Sequence, residues 1–298
     1  MPRRKDIWRC AIVDKPLEQL IAHGYRDAAI TWLPAGPEFT FLADPFGIFD
    51  GQLLHVFVEH YDYRSRHGTI ERLTFDDKRT LINRAPALHE AWHLSYPNVF
   101  RAEGAIWMLP EAHRSGTLTL YRAHGHFDDW RAECTIALDC VPVDASVLYH
   151  QDRWWMFYTS AASKRSKVAD LHLAWAERLT GPWTCHPGNP VQRDPASSRP
   201  GGTPVVADGR VMLPVQDCTR SYGAAVRPLW IDNLHETTFS ATAGERMQFP
   251  PGAPPSCEGM HTLSECGDVT LVDVKTIDSS LGSLRIELGR LLGRYGSR

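Results

Sequence analysis

The stretch ADPFGIFDGQLLHVFVE (43–59) runs from a polar start through a short strand to an Asp-Gly turn and into an apolar strand. The same design recurs in SYPNVFRAEGAIWMLPE (95–111), VDASVLYHQDRWWMFYTS (143–160), RPGGTPVVADGRVMLPVQD (199–217) and CEGMHTLSECGDVTLVDV (257–274). Aligned on their turns, the copies lie about 50–58 residues apart, the length of a four-stranded blade. Elsewhere the chain reads as short strands with turn signals roughly every 8–12 residues. The expectation is an all-β chain: a five-bladed β-propeller occupying residues 1–298 as one domain. Asp44, Tyr96, Asp144, Arg199 and His261 open the five units. Blades in a ring aim the starts of their innermost strands at one axis, so these residues predict a polar axial pocket.

The fifth unit is too short for four strands. Strands are expected at Ile7–Val13 and Ala28–Leu33, on either side of a short helix over Pro16–His23. They would complete the last blade and close the ring, removing an exposed edge. Outer strands are expected at Thr117–Ala123, Cys134–Leu138 and Leu171–Ala176, with another in GPWTCHP (181–187). The Pro/Gly/Ser-rich segments 187–204 and 249–256 read as loops between blades. The tail over about 279–298 has the pattern of a short amphipathic helix packed on the propeller side. Its arginines, Arg285, Arg290, Arg294 and Arg298, also suit weak contact with an anionic membrane surface.

The net charge of −3 argues against a nucleic-acid binder held by phosphate contacts. The seven cysteines are an odd number without CxxC spacing, so neither a disulfide framework nor a zinc site is expected, and no metal or cofactor is assigned. The N-terminus lacks the continuous apolar core of a secretory signal, and no apolar run reaches the ~18 residues of a membrane span. Free thiols and a cytoplasmic location are expected. Neither GxSxG nor GxxxxGK[ST] occurs, which removes the usual serine-hydrolase and P-loop readings. The ten tryptophans suit blade packing more than sugar stacking.

Paired carboxyls are the minimal equipment for breaking or forming a glycosidic bond, one ionised and one protonated. Asp44 and Asp144 open units one and three in nearly the same register, as pocket carboxylates or as turn caps. Glu111 ends the run WMLPE. Unit four repeats that run as VMLPVQD, with Gln216 and Asp217 near the matching position. Arg199 offers a planar donor fork to a carboxylate or phosphate, or an ion pair to a catalytic acid. Glu258 joins Asp44, Glu111 and Asp144 as a candidate catalytic residue. His93, Tyr96, Tyr222 and His261 join Arg199, Gln216 and Asp217 as substrate-binding candidates, with His261 open to a core role.

The motifs LADPF, HLSYP, MLPEA, FDDW, VDASV, WWMFYTS, LTGPW, HPGNPV, SRPGG and PVQDCTRSYG follow one another between about Ile30 and Leu263. This series resembles the N-terminal domain of glucosamine inositolphosphorylceramide transferases, which is similar in turn to the five-bladed propellers of family-43 glycosidases. The resemblance implies Asp44 as base and Asp144 as the residue that tunes the acid. It also implies a Glu acid near the start of blade four, where this chain has SRPGG with Arg199. Glu111, Asp217 or Glu258 would have to replace it. The expected function is a glycosidase-like or glycosyl-transfer activity on a glycan or glycoconjugate. The alternative is a non-catalytic sugar-binding propeller assisting a separate glycosyltransferase in surface-glycan biosynthesis. Carboxyls about 5–9.5 Å apart across the axis would favour catalysis.

Overall fold

The computed structural model describes residues 5–278 and 282–291. Five antiparallel sheets form the blades of a β-propeller. Blade one is Thr40–Asp50, Leu53–Asp62, His67–Phe75 and Leu81–Leu88. Blade two is Ser95–Ala102, Ala105–Glu111, Leu118–His124 and His126–Ile136. Its fourth strand starts eight residues before the sequence expectation, because a Gly125 turn with φ 79° reverses the chain at once. Blade three is Pro142–His150, Arg153–Ser160, Asp170–Ala176 and the short Thr184–Cys185. Blade four has a broken inner strand, Arg199–Pro200 and Val205–Ala207, followed by Arg210–Asp217, Ala225–Leu234 and Phe239–Ala243.

The N-terminal segment closes the ring as expected. Lys5–Val13 pairs with Val269–Asp278 over nine residue pairs, and Ile30–Trp32 lies outside it. Cys257–Gly259 and Leu263–Cys266 supply the inner edge of this fifth blade. The helix between the two N-terminal strands is Leu17–His23, with Leu17 and Leu20 buried.

The inner strands share a defect that points side chains at the axis. In blades one, two and three the register breaks between Ala43 and Phe46, Ser95 and Asn98, and Val143 and Ser146. Asp44, Tyr96 and Asp144 occupy those bulges with φ of 49°, 46° and 50°. A left-handed backbone at a non-glycine residue persists only where its surroundings over-determine it. Here they do. The Asp44 amide donates to Asp273 Oδ2 in blade five at 3.0 Å, and the Tyr96 amide donates to Asp44 Oδ2 at 3.1 Å. Blade four answers with Gly202, where a Cβ would lie 1.7 Å from the Leu263 carbonyl oxygen.

Between blades the chain buries apolar side chains, such as Trp155 at 1% exposure with Phe157, Leu173, Leu213 and Leu229. The C-terminal helix is described as Gly282–Leu291, with Ile286 buried beside Ile7, Phe39 and Tyr63 at the propeller side. Arg285 is exposed. Arg294 and Arg298 lie outside the described residues. No helix among the described residues is long and apolar enough to cross a membrane.

Candidate functional site

A cavity of about 340 Å³ opens on the axis. Asp44, Glu111, Arg199, Tyr222, His261 and His93 all line it, so six of the expected site residues converge. Asp144 and Gln216 sit just beneath. Arg199 Nε donates to Asp144 Oδ2 at 2.7 Å, and Gln216 Nε2 donates to the same oxygen at 2.9 Å.

Three of the expected residues do not present a side chain to the cavity. Tyr96 is fully buried and ties the ring together: its hydroxyl accepts the Gly202 amide at 2.6 Å and lies 2.8 Å from Ser146 Oγ. Asp217 is bound by Arg227 at 3.0 Å, Arg246 at 2.8 Å and the Thr219 hydroxyl at 2.5 Å. Successive strand residues face opposite ways, so a strand that turns Gln216 toward Asp144 turns Asp217 away from it. Glu258 is exposed on Cys257–Gly259 and is not among the lining residues.

The structure adds residues that the sequence reading missed. Glu59 lines the cavity and stands opposite Ala43, as Glu111 stands opposite Ser95. Its signal was present, since HVFVE ends in the same acid as WMLPE. Asp6 and Trp8 enter from the closing N-terminal strand, and Trp8 stacks on His261 with ring centroids 3.6 Å apart and planes at 11°. Phe41, Tyr61 and Tyr63 form an aromatic wall, with Phe41 and Tyr61 stacked at 5.0 Å. Also unforeseen is HEAWH (89–93), which has the HExxH spacing of a helical zinc site. The segment is not helical. His93 turns toward Glu59, His89 packs near His67, and Glu90 accepts the Tyr121 hydroxyl.

The cavity's acids differ in charge state. Burial pushes the Asp44 carboxyl up, as do Asp144 and Asp273, while His261 and the Tyr96 amide pull it down, leaving it at about 6. Burial and the neighbouring Asp44, Glu111 and Asp144 push Glu59 well above the carboxylate range. Its neighbour His93 offers no positive charge. The His93 Nδ1 accepts the Gly68 amide at 2.9 Å, and burial holds the imidazole down at about 4. The neutral ring therefore points its Nε2–H at Glu59 Oε1, 3.5 Å away. Burial opposes the Glu111 carboxylate too, but the contacts of His113 outweigh it and hold Glu111 at about 2. Glu111 accepts His113 Nδ1 at 2.5 Å, the His113 amide at 2.8 Å and Ser95 Oγ at 2.9 Å. Lys167 Nζ stands 2.9 Å from the far nitrogen of His113.

A second chain of polar groups crosses the floor. Asp273 Oδ1 accepts the amides of His261 and Thr262, each at 3.0 Å, and Asp273 Oδ2 lies 2.7 Å from His261 Nδ1. His261 Nε2 then faces Asp44 Oδ1 at 3.4 Å, and Thr262 Oγ1 donates to that oxygen at 3.1 Å. Burial works against a charged His261, but Asp273 and Asp44 outweigh it and raise its pKa. Asp44, His261 and Asp273 offer ligand atoms within 4.8 Å of one another, a spacing that could hold a cation.

Burial opposes the charge of Arg199, yet Asp144 outweighs it and raises the guanidinium pKa, so Arg199 is a fixed cation. The guanidinium lies 4.8 Å over the Tyr222 ring.

Several solved glycoside hydrolases share this propeller fold. A family 117 glycoside hydrolase from Zobellia galactanivorans superposes with a TM-score of 0.56 at 13% identity, over 84% of this chain and 90% of that one. An α-L-arabinofuranosidase from Podospora anserina gives 0.54 at 11%, over 82% and 94%. These likenesses establish the fold.

Sequence establishes the family. Residues 30–247 match the N-terminal domain of glucosamine inositolphosphorylceramide transferase 1, and the chain belongs to that family. The rice (Oryza sativa subsp. indica) transferase of that name is 34% identical over 203 residues, covering 67% of this chain. The Arabidopsis thaliana one is 32% identical over 211 residues, covering 69%. The match spans 27% of the length of each of these plant proteins.

Proposed function

We propose that the protein is carbohydrate-active and that its axial cavity breaks or transfers a glycosidic bond. One observation carries this reading: two buried carboxyls on one cavity, Asp44 and Glu59, that differ in their donors, since Asp44 accepts the Tyr96 amide and the Thr262 hydroxyl while Glu59 has a neutral His93 beside it. Groups whose environments differ in this way take the acid and base roles. Asp44, ionised above about pH 6, serves as base or nucleophile. Glu59, whose pKa burial and the surrounding carboxylates raise well above the carboxylate range, serves as acid. Glu59 takes the role expected of Glu111 or Glu258. Glu111 stays ionised down to about pH 2 and so holds no proton to donate, and Glu258 is not among the residues lining the cavity.

The aromatic wall of Phe41, Tyr61 and Tyr63 suits the apolar face of a sugar ring. The relatives' names carry glucosamine and an inositolphosphoryl lipid. In this reading, Asp6 and Glu111 suit an amino sugar's ammonium, while Lys167 and Arg199 suit an anionic group nearby. The seven unpaired cysteines fit a reducing compartment such as the cytoplasm.

A second reading has its own support. Arg199 occupies the place where the family-43 resemblance calls for the acid, and it is committed to Asp144. On this reading the propeller binds a sugar for a separate glycosyltransferase. A panel of para-nitrophenyl glycosides and amino-sugar glycosides decides between the two. Turnover that Glu59→Gln and Asp44→Asn each abolish supports catalysis. Saturable sugar binding without turnover, retained by Glu59→Gln, rejects it in favour of the accessory role.

A further inference from the structure

At the outer edge of blade three, four side chains of metal-binding type meet. Asp139 and Cys140 lie on the link from blade two. His172 lies on Asp170–Ala176, and Cys185 on Thr184–Cys185. None of the four lines the axial cavity. Asp139, Cys140 and His172 each offer a ligand atom, and these atoms all lie within 4.8 Å of one another. His172 Nδ1 is 3.1 Å from Asp139 Oδ2.

Cys185 adjoins them. Its Sγ accepts the Asp139 amide at 3.2 Å and lies 3.8 Å from the Tyr158 hydroxyl. The register explains the meeting. Cys185 pairs with Ala174, and residues two apart on a strand share a face, so Cys185 and His172 project to the same side. Two further groups aim the carboxylate: Tyr158 donates to Asp139 Oδ1 at 2.7 Å, and Asn189 Nδ2 donates to Asp139 Oδ2 at 2.8 Å. Metal ligands are commonly oriented by such partners. The cysteines and His172 are partly exposed and Asp139 is exposed, so an ion can reach them.

We propose that Asp139, Cys140, His172 and Cys185 form a zinc-type site that staples the link between blades two and three to the outer strands of blade three. Two sulfurs, one imidazole and one carboxylate are a donor set that suits tetrahedral Zn²⁺ better than a hard cation such as Ca²⁺ or Mg²⁺. When the ion binds, each thiol loses one proton to solvent. The imidazole stays neutral and moves its proton from Nδ1 to Nε2, freeing the Nδ1 lone pair for the metal. The ligand spacing, 139-140…172…185, follows no short motif, which is why cysteine spacing does not announce it.

The test uses the full chain, stripped with a chelator and titrated with Zn²⁺ and then with Co²⁺. The expected result is one equivalent of zinc, a higher melting temperature in its presence, and a cobalt spectrum with tetrahedral d–d intensity and sulfur-to-cobalt charge transfer. His172→Asn and the double variant C140S/C185S should each weaken zinc binding at least about tenfold. Circular dichroism checks that they fold, and Asp139→Asn, close to the native shape, is the substitute if either does not. Asp44→Asn should leave the zinc equivalent in place, which separates this site from the axial group. The proposal is overturned if the stripped protein takes up no more zinc than these variants do. It is equally overturned if cobalt shows no sulfur charge transfer, or if Asp44→Asn is the change that removes the ion.

Discussion

Glu59 and Glu111 hold the same place in successive blades, yet one is pushed toward the neutral acid and the other is fixed as a carboxylate. Each lies on the second strand of its blade, opposite the residue just before the bulge. Both are buried and face one cavity. The difference lies in their donors. Glu111 receives a ring N–H, a backbone N–H and a hydroxyl, all within 2.9 Å, with Lys167 behind the imidazole. Glu59 has a neutral His93 at 3.5 Å and other carboxylates around it. Burial penalises a charge in both places, and the hydrogen bonds to the charged form decide which acid keeps its proton. A repeat therefore copies a position, and the loops around it assign the chemistry. Here those loops are the 112–116 turn that supplies His113 and the 89–94 link that supplies His93.

The largest test of this contrast is catalytic. Glu59→Gln is expected to lower turnover about 100- to 10,000-fold, the usual loss for a general acid. Glu111→Gln should lower it by far less, and steady-state rates on the same substrate compare them. Equal losses would erase the distinction between the two acids.

The next effect is on stability. Trp155→Ala empties a buried interblade position and should cost about 3–5 kcal/mol. Asp44→Asn should leave the denaturant midpoint near that of the parent. If Asp44→Asn destabilises as much as Trp155→Ala, Asp44 is a structural cap of its bulge.

Smaller and opposite shifts separate Glu59 from Glu111. The Glu111 pKa is depressed in the fold, so its carboxylate stabilises the protein above the unfolded value and loses that contribution as pH falls toward about 2. Glu111→Gln should therefore lower the melting temperature at pH 7. The Glu59 pKa is raised, so the fold carries a penalty that grows as pH rises from the unfolded value through the folded one and is absent below the unfolded value. Glu59→Gln should leave the melting temperature unchanged or raise it, most clearly under alkaline conditions. Thermal melts across pH read both signs, and a drop for Glu59→Gln would break the assignment.

The smallest expected effect is a displacement of the pH–rate profile. Its rising limb should fall near pH 6, where Asp44 ionises, and should stay there in Glu111→Gln.

The propeller was legible in the chain because turn residues and apolar strands repeat with a blade-sized period. The axial pocket was legible because Asp44, Asp144 and His261 open their units. Glu59 was equally visible in HVFVE and was passed over. Asp217 illustrates the opposite error, since period-two alternation on a strand already sets it against Gln216. Trp8 and Asp6 were not readable as site residues. They reach the cavity only because Lys5–Val13 docks on Val269–Asp278, a contact across nearly the whole chain. Charge state was also beyond the sequence. His93 is neutral because the Gly68 amide occupies its Nδ1, a pairing 25 residues apart.

The central claim is tested most directly by carboxyl-carbon NMR on protein labelled at the glutamate side chains, with Glu59→Gln and Glu111→Gln used to assign the two signals. The account predicts that the Glu59 carbon titrates well above the ordinary glutamate range, while the Glu111 carbon keeps its ionised shift until the pH nears 2 or the protein unfolds. Two carbons that titrate together near the ordinary glutamate value would contradict it.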